Sequence, residues 1–212
     1  MLKVNEIFLD IQGESTWIGK PCVFVRLTGC DLRCSYCDTK YAYHKGKQYN
    51  LNDVIRKVRS FGCSLVEITG GEPLLQPETP KLVQKFLDDG FSVLIETNGT
   101  LDISTINPHA VRIMDIKCPG SGEHTKNNLN NINFIHPHDN IKFVITDRKD
   151  YIWAKKILKK FELSKRCEVL FSPAIDWLPP KRLANWIVED VLPVRFQPQL
   201  HKLIKSRKIK GF

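Results

Sequence analysis

Short apolar runs along this chain alternate with stretches in which apolar residues recur every three or four positions. The runs are Val4–Asp10, Cys22–Thr28, Leu65–Thr69, Phe91–Glu96, Val111–Ile116, Ile141–Thr146 and Cys167–Phe171. Most carry Val, Ile, Leu or Phe at both parities, which predicts strands buried on both faces of a parallel sheet. Helical spacing predicts helices over Asn52–Phe61, with Asn52 as cap and Gly62 as stop, and over Pro80–Asp89, Lys149–Phe161 and Pro180–Asp190. Pro119–His138, rich in Gly, Asn and His, reads as a loop. Strands alternating with helices imply βαβ units, but fewer than eight. The expected architecture is therefore one α/β domain over residues 1–212, an open, partial parallel βα barrel, with a basic tail at about 203–212.

Composition narrows the class. The apolar fraction of 42% and charged fraction of 26% are those of an ordinary globular protein. Lys3, Glu6, Asp10 and Glu14 interrupt the early apolar runs, so neither a signal peptide nor a membrane span is expected, and the expected location is the cytoplasm. The net charge of +9 is carried partly by Lys155, Lys156, Lys159 and Lys160 and partly by the C-terminal Lys202–Lys210 segment. Such an excess suits a solvated face or an anionic partner; with no nucleic-acid motif present, nucleic acid is not expected.

Chemistry enters with the cysteines. Three of the seven crowd into Cys30–Cys37, spaced C-x3-C-x2-C, at the C-terminal end of the predicted strand Cys22–Thr28. Three thiolates on one loop can hold three irons of a [4Fe–4S] cubane and leave the fourth iron open. The alternative is a structural zinc site completed by His44 or Cys22. Cys22, Cys63 and Cys167 read as small buried hydrophobes. The strand Leu65–Thr69 runs into Gly70-Gly71-Glu72-Pro73, a turn whose glycines permit close backbone approach. Other predicted strand ends carry Glu96-Thr97-Asn98-Gly99-Thr100, Asp115-Ile116-Lys117-Cys118-Pro119 and Ser172-Pro173-Ala174-Ile175-Asp176. Asp115 and Lys117 could simply pair with each other.

The cysteine spacing with the Gly-Gly-Glu-Pro turn resembles the radical S-adenosylmethionine (SAM) superfamily. Glu6–Glu14, Phe24–Leu27, Tyr36-Cys37-Asp38-Thr39 and Val194–Lys202 add a closer resemblance, from Val4 to Lys202, to 7-carboxy-7-deazaguanine synthases. The resemblance implies a lyase that converts 6-carboxy-5,6,7,8-tetrahydropterin to 7-carboxy-7-deazaguanine with loss of ammonia, in queuosine and 7-deazapurine biosynthesis. Its implied cofactors are a [4Fe–4S] cluster, SAM and Mg²⁺. Cys30, Cys34 and Cys37 would ligate the cluster. Tyr36, Asp38, Gly71, Glu72, Glu96, Asn98, Lys117, Cys118, Pro119, Ser172, Pro173, Ala174 and Ile175 would surround SAM. Thr39 would ligate Mg²⁺, and Ile11, Gln12, Gly13, Arg26, Thr69 and His201 would hold the pterin. Arg26 and Thr39 would serve the chemistry directly; a core salt bridge from Arg26 to Glu14 is the structural alternative. The implied partners are an electron donor such as flavodoxin or ferredoxin and a second copy in a homodimer.

Two features depart from the family pattern. The long insertion that some synthases carry between their first two cysteines is absent, and the chain runs on past Lys202 as a basic tail. The rival enzymatic reading is a radical SAM activase that installs a glycyl radical on a partner protein. The non-enzymatic rival is a zinc or iron–sulfur module that binds nucleic acid.

Overall fold

Two opposed faces on each strand organise the fold, and the computed structural model describes residues 1–203 of it. In β2 (Pro21–Leu27), Val23, Val25 and Leu27 point one way, into a cluster with Val54, Ile55 and Val58 of α1 (Leu51–Arg59) and Leu82, Val83 and Phe86 of α2 (Thr79–Asp88). Val66 and Ile68 of β4 (Leu65–Gly70) and Val93 and Ile95 of β5 (Ser92–Thr97) join that cluster. Ile141, Phe143 and Ile145 of β7 (Asn140–Ile145) and Val169 and Phe171 of β8 (Glu168–Pro173) pack likewise with Tyr151, Ala154 and Leu158 of α3 (Arg148–Lys160) and Leu183 and Ile187 of α4 (Pro180–Glu189). The opposite parity faces a lumen.

Among the described residues the strands form one nine-stranded sheet in the order β3-β1-β2-β4-β5-β6-β7-β8-β9, with β1 as Leu2–Ile11, β3 as Lys47–Tyr49, β6 as Val111–Asp115 and β9 as Arg195–Phe196. β1 is antiparallel to β2 and β3, and β2 to β9 run parallel along the sheet. The sheet does not close on itself, as expected of a partial barrel. The loop after β1 instead crosses the lumen, where Thr16 N donates to Asn140 Oδ1 at 3.0 Å. It meets α5 (Leu200–Leu203) through Leu200 N on the Gly13 carbonyl at 3.0 Å.

Each predicted strand and helix is present, with ends shifted by one or two residues. Three differences have physical causes. The cap of α1 is Asn50 rather than Asn52: the Asn50 side chain accepts from Asp53 N at 2.9 Å, while Asn52 is an exposed residue inside the first turn. The loop Pro119–His138 contains three 3₁₀ turns, at Pro119–Ser121, His124–Lys126 and Leu129–Phe134. The strands β3 and β9 were not predicted because three and two residues are too short to show a period. No helix among the described residues is long and apolar enough to cross a membrane.

Asn50→Ala should therefore cost about 1 kcal/mol and lower the melting temperature by about 2–4 °C. Asn52→Ala should change stability by less than about 0.5 kcal/mol in the same thermal melts.

Candidate active site at the strand ends

The lumen has an apolar floor and a polar upper layer. Cys22, Leu65, Leu94, Val111 and Ile113 pack together near the strand N-termini, with Phe24 and Trp17 against them. Further along the same faces stand Arg26, Glu67, Thr69, Glu96, Asp115, Lys142 and Ser172. Ligand chemistry in parallel α/β sheets collects at this C-terminal end.

Lys142 is 4% exposed, and its ammonium lies against three carboxylates: Glu14 at 2.8 Å, Asp115 at 3.5 Å, and Glu96. Burial alone would pull its pKa down, but Glu14, Glu96 and Asp115 outweigh that and hold it well above the usual lysine value. Asp115 also pairs with Lys117 at 2.9 Å, so the pairing considered from sequence is real. Burial would raise the Asp115 carboxyl, yet the two lysines hold it below the ordinary range. Glu67 behaves oppositely. Burial, then the Glu96 and Glu14 carboxylates, push its pKa well up, so it favours the neutral acid. Gln12 Nε2 donates to Glu67, and Gln12 Oε1 accepts from Glu14 N at 2.9 Å. Gln12 is thus brought to the lumen, but its carboxamide is spent on positioning the Gly13–Glu14 turn.

Arg26 also faces the lumen. Its salt bridge runs to Glu6, Nε to Oε1 at 2.7 Å, across the β1–β2 ladder where the two residues are paired. The partner is not Glu14, which instead serves Lys142 and accepts from Gln199 Nε2 at 2.9 Å. Thr69 Oγ1 donates to Glu96 Oε2 at 3.3 Å. Ile11 and Gly13 lie at the start of the crossing loop, whereas the His201 side chain lies outside the described residues, as does the tail at 204–212.

The cysteine loop sits above this layer and is fastened on two sides. Toward β6, Arg33 N donates to Glu123 Oε1 at 2.7 Å and Ser35 N to the Ser121 carbonyl at 3.0 Å. Toward β4, Glu72 N donates to the Gly29 carbonyl at 2.7 Å. The two glycines of the turn make that second contact possible. Gly70 has φ +151°, and a Cβ there would lie 2.2 Å from the Leu27 carbonyl oxygen; one at Gly71 would lie 2.1 Å from that of Gly29. The Glu72 carboxylate is fully buried and accepts from Leu74 N, Thr97 Oγ1 and Asn98 N, so it braces the turn. Burial lifts its pKa to about 7 against those donors.

The residues present fit a cluster and a polar ligand. Burial pushes the Cys34 thiol up to about 11, with Lys117 pulling the other way, and ligation to iron would displace that proton. Among the described residues no three His, Cys, Asp or Glu side chains converge on one ion; a cubane spreads its thiolates over three irons. Tyr36 Oη, Asp115 Oδ1, Asn140 Nδ2, Ser172 Oγ and Gln197 Oε1 are buried with no hydrogen-bond partner among the described residues. Each such atom costs about 1–3 kcal/mol unless something satisfies it. Pro173 and Ala174 are buried beside Ser172, Ile175 is half-buried, and Pro119 follows Cys118 at the end of the β6 loop. The Cys118 side chain belongs to the helix-side core, which leaves only its main chain for a ligand. Cys22 and Cys167 are buried as expected, while Cys63 is only half-buried. Asp38 is exposed and pairs with Lys202 at 2.8 Å, and Thr39 Oγ1 lies 3.0 Å from Asp38 Oδ1.

Residues 24–115 match the Radical SAM superfamily. A 7-carboxy-7-deazaguanine synthase of Koribacter versatilis (strain Ellin345) is 40% identical over 99% of this chain and 100% of its own length. The chain belongs to the 7-carboxy-7-deazaguanine synthase family. The synthase of Chlorobaculum tepidum is 39% identical over 99% of this chain and 97% of its own. In fold, this synthase-family chain resembles QueE from Escherichia coli, with a TM-score of 0.72 over 94% of each chain and 23% identity.

Glu67, Lys142, Asn140, Gln197 and Gln199 were not singled out in the sequence. The available signal was parity: Glu67 and Lys142 are lone charges inside apolar runs, at the lumen-facing positions.

Removing the central cation is expected to be costly. Lys142→Met should destabilise the fold by about 3 kcal/mol in denaturant titrations, because the half-buried Glu14 and Glu96 lose their cation and the buried Asp115 keeps only Lys117. For Glu67, the folded pKa lies above the unfolded value of about 4.3, so its contribution is complete below that value and is lost as pH rises through the folded pKa. Glu67→Gln cannot ionise. Its melting temperature should rise relative to wild type as the pH of the melts is raised from about 5 to about 9.

Proposed function

We propose that this chain converts 6-carboxy-5,6,7,8-tetrahydropterin to 7-carboxy-7-deazaguanine with loss of ammonia, as a radical SAM lyase. The observation that carries this reading is the match to named synthases along essentially the whole chain, so that it includes every element of the strand-end site. It favours the synthase over the activase alternative, since the resemblance extends well beyond the cysteine loop and the Gly-Gly-Glu-Pro turn.

In this reading Cys30, Cys34 and Cys37 hold the cluster, which when bound supplies the one-electron chemistry that cleaves SAM. The residues of the chain bind, orient and exclude water. The buried atoms Tyr36 Oη and Ser172 Oγ, with Lys117, Glu96 and the main chain of Gly71 and Cys118–Pro119, take the polar groups of SAM. Pro173, Ala174 and Ile175 cover its apolar parts. Arg26 keeps its Nε on Glu6 and turns the Nη edge of its fork to the substrate carboxylate. Thr39, half-buried beside the cluster loop, offers a hydroxyl oxygen to Mg²⁺ near that carboxylate. Thr69, Gly13, Ile11 and the orphaned Asn140 Nδ2 and Gln197 Oε1 face the ring. A small electron-transfer protein of the flavodoxin or ferredoxin kind and a homodimeric assembly complete the proposal.

The test is anaerobic. The reconstituted protein is given SAM, reductant, Mg²⁺ and 6-carboxytetrahydropterin, and products are followed by mass. The expected products are 7-carboxy-7-deazaguanine and 5′-deoxyadenosine. Deoxyadenosine without the deazaguanine would overturn the substrate assignment. Arg26→Ala should raise the KM for the pterin about a hundredfold, the loss expected for a charge-assisted carboxylate contact.

A further inference from the structure

Asn98, at the C-terminal end of β5, is 6% exposed, and its carboxamide is held at both ends. Its Oδ1 accepts from Thr100 N at 3.0 Å. Its Nδ2 donates to Asp31 Oδ1 at 2.9 Å and lies 3.9 Å from Cys30 Sγ. The partners settle which atom is which: a main-chain N–H can only donate, and an ionised carboxylate can only accept. Thr100 Oγ1 donates to the other oxygen of Asp31 at 2.6 Å and lies 2.8 Å from Asn98 Oδ1. Asp31, inside the cysteine loop, and Asn98 are therefore locked as a pair. An amide nitrogen carries two protons. One goes to Asp31, and the other faces the Cys30 sulfur, which also accepts from Leu32 N at 3.4 Å.

We propose that Asn98 is a positioning residue for the cluster: its second N–H hydrogen-bonds the Cys30 thiolate and raises the reduction potential. This rests on reading Cys30 as a cluster ligand. Donors to a ligating sulfur stabilise the more negative, reduced state, and outer-shell groups tune a metal centre in this way. The arrangement also leaves the Asn98 side chain no free group for the SAM contact expected from sequence. Both ends of its amide are committed to the Asp31 loop and the Thr100 turn.

The experiment uses the full reconstituted protein, reduced with dithionite, without SAM or pterin. Asparagine labelled with ¹⁵N at the side chain is incorporated, and the reduced cluster is examined by pulsed EPR. A ¹⁵N coupling in wild type, lost in Asn98→Leu, is expected. At a fixed poise the reduced-to-oxidised ratio of the Asn98→Leu cluster should fall about tenfold, equivalent to about 59 mV for a one-electron couple, with iron content unchanged. A merely structural role would lower iron content and leave the potential of the remaining clusters where it was, and that result overturns the proposal. So does the absence of ¹⁵N coupling in wild type, a measurement that needs no variant to fold. A wild-type protein that takes up no iron overturns the cluster reading and this proposal together. An intact coupling in a protein that makes no deazaguanine overturns the pterin assignment alone and supports the role of Asn98.

Discussion

The buried ammonium of Lys142 is the interaction on which the lumen depends. It neutralises carboxylates from three places, the crossing loop (Glu14), β5 (Glu96) and β6 (Asp115), and so ties the loop that crosses the open barrel to the middle of the sheet. Without a cation there, like charges would face one another in a region with little water. The price is visible at Glu67, which sits within reach of the same carboxylates but outside the lysine's contacts, and which favours its proton. The lumen is thus graded by position: two lysines hold the Asp115 carboxyl below the ordinary range, while burial and the neighbouring carboxylates push that of Glu67, the partner of Gln12, well above it.

This distribution places the polar layer above an apolar floor. Cys22, Leu65, Leu94, Val111 and Ile113 fill the strand N-termini, so polar groups accumulate only toward the strand C-termini, where the cysteine loop closes over them. The helix-side faces of the same strands are apolar apart from Thr97 on β5 and Arg112 on β6, which pairs with Asp139, and they give the layer a rigid backing. Orphaned atoms such as Tyr36 Oη and Ser172 Oγ stand between loop and lumen, where a polar ligand would satisfy them.

Strand and helix periods were legible because burial on both faces leaves long Val, Ile and Leu runs. The cysteine spacing and the Gly-Gly-Glu-Pro turn were legible because they are local. What the sequence hid is non-local. That Arg26 pairs with Glu6 rather than Glu14 depends on the β1–β2 register, which places residues 6 and 26 opposite each other. The glycines predict a close backbone approach, and only the structure shows what approaches: the backbone of β2 and of the cysteine loop. The family resemblance implies SAM contacts for Glu72 and Asn98, whereas their side chains hold neighbouring turns, because three N–H or O–H donors converge on one and a carboxylate locks the other. Short strands such as β9 acquire their identity only from the neighbour they pair with.

The meeting of Gly71 with the Gly29 carbonyl is set by hard-core repulsion, without a flexible side chain between the two segments. Flexible contacts let an assembly absorb small errors; a backbone-to-backbone stop does not. The spacing between the cysteine loop and the turn after β4 therefore has a narrow mechanical tolerance, and a change as small as one methyl group at residue 71 would force the two segments apart.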